Sequence, residues 1–291
     1  MNSALYRRLA RATPASVRPI TQIRSFTRST TCLQNTEDTT HFGFKTVPKD
    51  MKESLVRNVF SKVASNYDIM NDAMSMGVHR LWKDHFIRSM APARGAKLID
   101  VAGGTGDIAQ RFLEYQDQNG DSTSSVHMVD INPDMLREGE QRFASTKWQS
   151  DKRIGFTVGN AENLEFVNDE EFDVYTIAFG IRNCTHVDRV VREAHRVLKP
   201  GGRFMCLEFS RVSNPVLASL YDMHSFYVIP KLGELIANDR ASYEYLVESI
   251  RKFPAQNEFA QIIRSEGFTT IGKGYENLTF GTVAIHTGYK F

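Results

Sequence analysis

Asp100 and Asp107 bracket a run of three glycines and a threonine, Asp100-Val101-Ala102-Gly103-Gly104-Thr105-Gly106-Asp107. Glycines let a backbone pass close to a ligand, and a helix starting behind them presents unpaired N–H groups. Gly104 to Ala109 fits the G-x-G-x-x-A dinucleotide pattern, with Asp130 at the distance expected of a ribose-binding acid. A dinucleotide, however, would set its pyrophosphate on the helix N-terminus beside the Asp107 carboxylate. Like charges at that range are costly in a partly dry cleft. A ligand with a cationic end and no phosphate suits the bracket better. S-adenosyl-L-methionine is of that kind: its ammonium and sulfonium are positive and its ribose hydroxyls need an acceptor. On this reading Asp107 decides between the two cofactors. If Asp107 only capped its helix, the two glycines beyond the one a tight turn needs would have no use.

These residues need a strand before them and a helix behind them. Lys97–Ala102 reads as the strand and Asp107–Tyr115 as the helix, followed by a polar loop over Gln116–Ser125. The alternation continues with strands over Val126–Ile131, Ile154–Gly159, Phe172–Phe179 and Arg203–Phe209. Helices read over Pro133 to about Ser145, with Asn132 as cap, and over Val187–Leu198. Lys199-Pro200-Gly201-Gly202 is a turn, since proline presets φ and glycine supplies positive φ. Two helical stretches follow, Pro215–Ile229 and Ala241–Arg251, then a third from Pro254 to Glu266 closed by Gly267. Phe268–Tyr275 and Thr279–His286 read as a terminal strand pair. Residues 37–48 read as a flexible entry segment ahead of a helical preamble over 51–91. That preamble is broken at Asn66-Tyr67-Asp68, and its second helix carries Leu81, Trp82, Phe86 and Ile87. The expected fold is α/β: a doubly wound, Rossmann-like sheet over 96–291 with an antiparallel C-terminal edge and an N-terminal helical extension.

The formal charge of +2 hides an asymmetry: residues 1–36 hold six arginines, no lysine and no acid, leaving 30 basic against 34 acidic residues in the remainder. A mildly acidic body argues by charge against nucleic acid as a partner. The Arg-, Ser- and Thr-rich start, without acids, reads as a mitochondrial transit peptide over 1–35, with the domain over 36–291 and processing between about Phe26 and Asn35. Cys32, Cys184 and Cys206 are too scattered for a disulfide framework or a zinc site, and the histidines show no ligand spacing, so no metal is expected. No stretch of 18 apolar residues is present.

The chain also carries Phe42-Gly43-Phe44, Asn66-Tyr67-Asp68, Asn71-Asp72, Gly159-Asn160-Ala161-Glu162, Phe179-Gly180-Ile181-Arg182-Asn183, Glu208-Phe209-Ser210 and Asn277-Leu278-Thr279. Together with the glycine turn, these segments resemble the ubiquinone/menaquinone biosynthesis C-methyltransferase family, from Phe42 to Phe291. The glycine turn alone specifies only the class I S-adenosylmethionine-dependent methyltransferase fold; the Phe179–Asn183 and Asn66–Asp68 segments are more specific. Where relatives commonly carry a proline after the Ala-Glu-x-Leu run, this chain has Glu165.

The resemblance implies a cofactor site in which Gly103, Gly104 and Thr105 pass the methionyl part and Asp100 helps hold its ammonium. Asp130 would accept from the ribose hydroxyls, while Asn160 and Ala161 would meet the adenine. It implies a polyprenyl benzoquinol as substrate, with Arg182, Asn183 and Tyr67 as catalytic residues. Arginine stays charged, so Arg182 would stabilise the phenolate that makes a ring carbon nucleophilic. Its competing use is a surface ion pair with Asp188. Tyr221, Met223, Phe226, Tyr227, Val228 and Ile229 form an aromatic–aliphatic stretch whose first explanation is core packing, the remainder lining a tail channel or touching a membrane. The resemblance further implies peripheral attachment to the matrix face of the mitochondrial inner membrane and membership of a quinone-synthesis complex, and it leaves a homodimer open. Two other functions compete. An NAD-linked oxidoreductase is disfavoured by Asp107 and by the lack of a recognisable hydride-transfer site. A cofactor-binding scaffold without turnover is disfavoured by intact Tyr67, Arg182 and Asn183.

Overall fold

The computed structural model describes residues 38–63, 71–72 and 74–291. The transit segment with Cys32, and Tyr67 with its Asn66–Asp68 break, lie outside the described residues. The segment read as a flexible entry is a hairpin instead: β1 (Thr39–Phe42) pairs antiparallel with β2 (Lys45–Pro48). Gly43, at φ +58°, makes the turn that few other residues adopt. The hairpin forms because it has a surface to dock on. Phe42 stacks on Tyr245 at 4.2 Å between ring centroids, and the Phe44 N–H donates to Glu248 at 3.0 Å.

Helices α1 (Lys49–Val63) and α2 (Val78–Met90) make the preamble. All four apolar residues lie on α2, where Trp82, Phe86 and Ile87 form the buried stripe and Leu81, one position off it, is 64% exposed. The sheet follows with β3 (Lys97–Val101), β4 (Ser125–Asp130), β5 (Ile154–Val158), β6 (Phe172–Ala178), β7 (Leu198–Phe209), β8 (Tyr275–Leu278) and β9 (Val283–Tyr289). Its order is β5-β4-β3-β6-β7-β9-β8, with the first five parallel and β9 antiparallel to both β7 and β8. The terminal pair therefore exists, but shifted: Thr269 only bridges to Tyr289, and the first paired strand begins at Tyr275. The Lys199–Gly202 turn is absorbed into β7 as an irregularity against β6, with Gly201 at φ +82°.

Both faces of the sheet are covered, so its central strands are largely buried along their length rather than alternating buried and exposed. In β3, Leu98 packs with α2 residues Phe86 and Met90, while Ile99 and Val101 pack on the opposite face with Val190 and Ala194. Helices α3 (Asp107–Gln118), α4 (Pro133–Phe143), the single turn α5 (Lys147–Ser150) and α6 (Val187–Val197) are the crossovers and their extension. The start of α4 follows from its sequence: Pro133 sits at the first helical position and the Asn132 side chain accepts from the Asp134 N–H. Beyond β7, α7 (Pro215–Met223) continues through a π-helical turn at His224–Val228 into α8 (Ile229–Ala237), then α9 (Arg240–Lys252) and α10 (Gln256–Ser265). The aromatic–aliphatic stretch does not pack as core. Ile229 is buried, but Met223, Phe226 and Val228 are exposed and Tyr227 is 70% exposed, as is the preceding Leu220.

Candidate active site

The sheet order reverses at β3, where β4 lies on one side and β6 on the other, so a crevice opens beyond their carboxyl ends. Two non-glycine residues at these ends have positive φ, Ala102 (+54°) after β3 and Phe179 (+55°) after β6. Such backbone costs about 1–3 kcal/mol and concentrates at functional sites. Gly180 is required beside them, since a Cβ there would lie 2.5 Å from the Ala102 Cβ.

A cavity of about 380 Å³ fills the crevice, and Asp100, Gly103, Gly104, Thr105, Asp130, Asn160, Ala161 and Asn183 all line it. Asp100 is 1% exposed. Its Oδ1 accepts from the Thr176 hydroxyl at 2.8 Å, while Oδ2 is buried without a hydrogen-bond partner. Burial, reinforced by the nearby Asp130 and Asp107 carboxylates, pushes Asp100 up to about 7. Gly103 keeps this oxygen reachable, because a Cβ there would sit 3.2 Å from Oδ2.

Asp130 is pushed up to about 6 by burial, although backbone donors oppose the shift. Its Oδ2 accepts from the Gly104 N–H at 2.9 Å and its Oδ1 from the Asn132 N–H at 2.8 Å. The side chain thus ties β4 to the glycine turn and keeps further lone pairs for a ligand's hydroxyls. The Asn160 carbonyl oxygen is committed to the Glu162 N–H at 2.8 Å, and its amide approaches Glu53 of α1 at 3.4 Å. Sequence reasoning missed this wall: Glu53, Val56, Arg57 and Phe60 of α1 close one side of the cavity. Val56 and Phe60 stand at helical apolar spacing in the sequence, but spacing does not tell a ligand-facing polar residue such as Glu53 from a solvated one.

Asp107 is not the uncompensated charge facing the ligand that its place beside the glycine turn suggests. It accepts from Lys83 at 2.6 Å and from Arg111 at 2.8 Å. Burial would raise it, but those two cations hold it below its ordinary value. The acidity that meets a cationic ligand resides in Asp100 and Asp130.

A second, more apolar cavity of about 120 Å³ adjoins the first, sharing Phe60, Lys83 and Phe179 in its walls. An engineered apolar cavity of about 150 Å³ admits benzene, so an aromatic ring is the right scale. Trp82, Phe179, Phe209, Tyr221 and Ile229 contribute to it, and Arg182 adds a second buried cation to the shared Lys83. Arg182 is 5% exposed and is not a surface partner of Asp188, which instead approaches Arg192 at 3.8 Å. Its Nη1 donates to Glu208 at 2.9 Å and also to the Phe179 carbonyl, and its Nε is buried without a partner. Glu208 is fully buried behind it, and burial pushes its carboxyl up against the pull of Arg182. Glu208 sits at the end of a strand reading as plain core, so its role as counter-charge was not legible.

The loop carrying Arg182 and Asn183 is fastened from several elements. Glu162 accepts from the Thr185 and His186 N–H groups at 2.6 and 3.0 Å. Lys52 of α1 donates to the Cys184 carbonyl at 2.9 Å, and the Tyr245 hydroxyl of α9 donates to Asn183 at 3.0 Å. Among the described residues no cluster of histidine, cysteine or carboxylate could hold a metal ion.

This architecture is shared. A SAM-dependent methyltransferase of Thermotoga maritima superposes with a TM-score of 0.52 at 18% identity, over 80% of this chain and 99% of its own. Much nearer in sequence are proteins named 2-methoxy-6-polyprenyl-1,4-benzoquinol methylase, mitochondrial. The Schizosaccharomyces pombe protein is 55% identical over 256 residues, 86% of this chain and 84% of its own. The Dictyostelium discoideum protein is 52% identical over 278 residues, 88% of each chain. The model of the ubiE/COQ5 methyltransferase family matches residues 47–290. On its sequence, its sheet and the crevice at the sheet's switch point, the chain belongs to the ubiE/COQ5 methyltransferase family.

Proposed function

We propose that the protein transfers a methyl group from S-adenosyl-L-methionine to a ring carbon of 2-methoxy-6-polyprenyl-1,4-benzoquinol, in the synthesis of ubiquinone. The observation that carries this reading is the pair of adjoining cavities, one with an unpartnered buried carboxylate oxygen and the other aromatic with a buried arginine. Asp100 Oδ2 fits an ammonium, and Asp130 fits ribose hydroxyls. The amide of Asn160 and the backbone at Ala161 fit the base. When bound, the cofactor supplies an electrophilic methyl on a cationic sulfur.

The protein's part is to make the ring carbon nucleophilic and to exclude water. Arg182 does the first by stabilising negative charge on a ring oxygen, an interaction worth most in a dry site. The aromatic walls do the second. Arg182 and Glu208 form a nearly neutral pair, so phenolate binding is driven by the unused donors of the guanidinium rather than by a lone positive charge. Asn183, next to Arg182 in the chain, lines the cofactor cavity and would face the cofactor, and Tyr67 is proposed as a further catalytic residue.

The relatives carry the word mitochondrial in their names. Residues 1–35 are assigned as a transit peptide, the domain as 36–291, and the location as the matrix side of the inner membrane. No helix among the described residues is long and apolar enough to cross a membrane. Tyr221 and Ile229 face the second cavity while Leu220, Met223 and Tyr227 of the same segment are exposed. This arrangement supports a polyprenyl tail leaving the cavity toward lipid through α7 and α8. The test is to incubate the protein from Thr36 onward with methyl-labelled S-adenosyl-L-methionine and a short-tailed methoxybenzoquinol. Labelled quinol is expected, and tight cofactor binding without any labelled product would favour a scaffold.

A further inference from the structure

Carbon methylation of a quinol needs a base as well as a stabilised phenolate, and most polar side chains around the second cavity are already engaged. Lys83 is held by Asp107 and Arg182 by Glu208. The Tyr245 hydroxyl donates to Asn183, and burial pushes both Tyr245 and Tyr221 above the ordinary phenol range. His79, at the start of α2, differs. It lines the second cavity and is 6% exposed. Its Nε2 lies 2.8 Å from Asp72 Oδ1, and its Nδ1 is buried with no hydrogen-bond partner among the described residues.

We propose that His79 is the base that takes the ring hydroxyl's proton, with Asp72 holding it in the accepting tautomer. This rests on the quinol C-methylation proposed above. Asp72 is fixed for the task by Arg80, whose Nε and Nη2 donate to its two oxygens at 2.8 and 2.6 Å. Those donors and His79 hold its carboxyl far below the ordinary range. A carboxylate can only accept, so Nε2 carries the ring hydrogen and Nδ1 keeps its lone pair. Burial, helped by Lys83 and opposed by Asp72 and Asp107, holds His79 below the usual imidazole value, so the ring is neutral near pH 7.

The proton passes from the ring O–H to Nδ1, leaving phenolate and imidazolium. The ring carbon then forms its bond to the methyl as the carbon–sulfur bond breaks onto sulfur. The resulting dienone loses its ring C–H proton to water, and the imidazolium returns its proton to the ring oxygen. One proton is released per methyl transferred.

His79→Gln and Asp72→Asn separate this role from packing. Both are expected to bind S-adenosyl-L-methionine as the wild type does and to lose about 10²–10⁴-fold in kcat with little change in KM, the usual range for a removed general base. Asp72→Asn acts by presenting an amide that lets the tautomer reverse, and Asp72→Glu restores part of the loss. A readout without turnover comes from 15N NMR of histidine-labelled wild-type protein. Nδ1 is expected to be unprotonated at neutral pH and to gain a proton when 2-methoxy-4-nitrophenol binds. An Nδ1–H tautomer in the free protein overturns the proposal, and so does wild-type turnover in His79→Gln. His224 lines the same cavity. A proton gained by His224 rather than His79 also overturns it. If wild-type protein methylates no quinol, the C-methylation reading fails instead, and the NMR still reports on His79.

Discussion

Asp100 and Asp130 put a pH dependence into the site. Their carboxyls stand at about 7 and about 6, whereas an unfolded chain ionises aspartate near about 3.9. Between those values the folded protein binds more protons than the unfolded one, so stability falls as pH rises. Melting curves of cofactor-free protein should show a midpoint that drops from about pH 5 to pH 8, with a shallower slope in Asp100→Asn. The rise in midpoint on adding S-adenosyl-L-methionine should grow over the same window, because the ammonium binds the ionised carboxylate. A rise independent of pH contradicts the role of Asp100. Arg182 has a more complicated mutational signature than a surface arginine. Arg182→Ala strands a buried Glu208 and should cost about 3–5 kcal/mol of stability. Adding Glu208→Gln should recover much of that in chemical denaturation, while quinol turnover stays lost. Recovery of turnover with stability would reduce Arg182 to a structural residue.

At the scale of elements, the site depends on where two strands end and on what fastens the loop behind the second. Gly180→Ala would press a methyl into Ala102, so a loss of about 1–3 kcal/mol and weaker cofactor binding are expected. Calorimetry on that variant checks both effects together. Phe42→Ala tests the hairpin, which reaches the site through Tyr245 and Asn183. Slower turnover with unchanged cofactor affinity is the expected result. The strand–helix alternation was legible because hydrophobic runs, Asn132-Pro133 and the glycine turn are local signals. The hairpin was not, since residues 39–48 look polar until α9 offers Phe42 a partner. Glu208, Lys52 and the polar face of α1 were hidden for the same reason: their partners are distant in sequence. The cofactor was inferred from Asp107, which proves to be neutralised by Lys83 and Arg111. The acidic character was there, but in Asp100 and Asp130.

For the whole molecule, α7 and α8 join the buried chemistry to an exposed apolar face. Replacing Leu220 and Tyr227 by glutamate should weaken binding to anionic phospholipid vesicles in a flotation assay. Methylation of a short-tailed quinol in solution should continue, because the charges are added outside the cavity. Unchanged vesicle binding would move the lipid contact elsewhere. If the two cavities bring a methyl donor to a ring carbon, the wild-type protein run with 13C-methyl S-adenosyl-L-methionine and a short-tailed 2-methoxybenzoquinol shows it directly in the position of the label by NMR. A carbon-bound methyl on the ring is expected, abolished in Arg182→Ala carrying Glu208→Gln. Label on a ring oxygen, or undiminished carbon methylation in that variant, would contradict it.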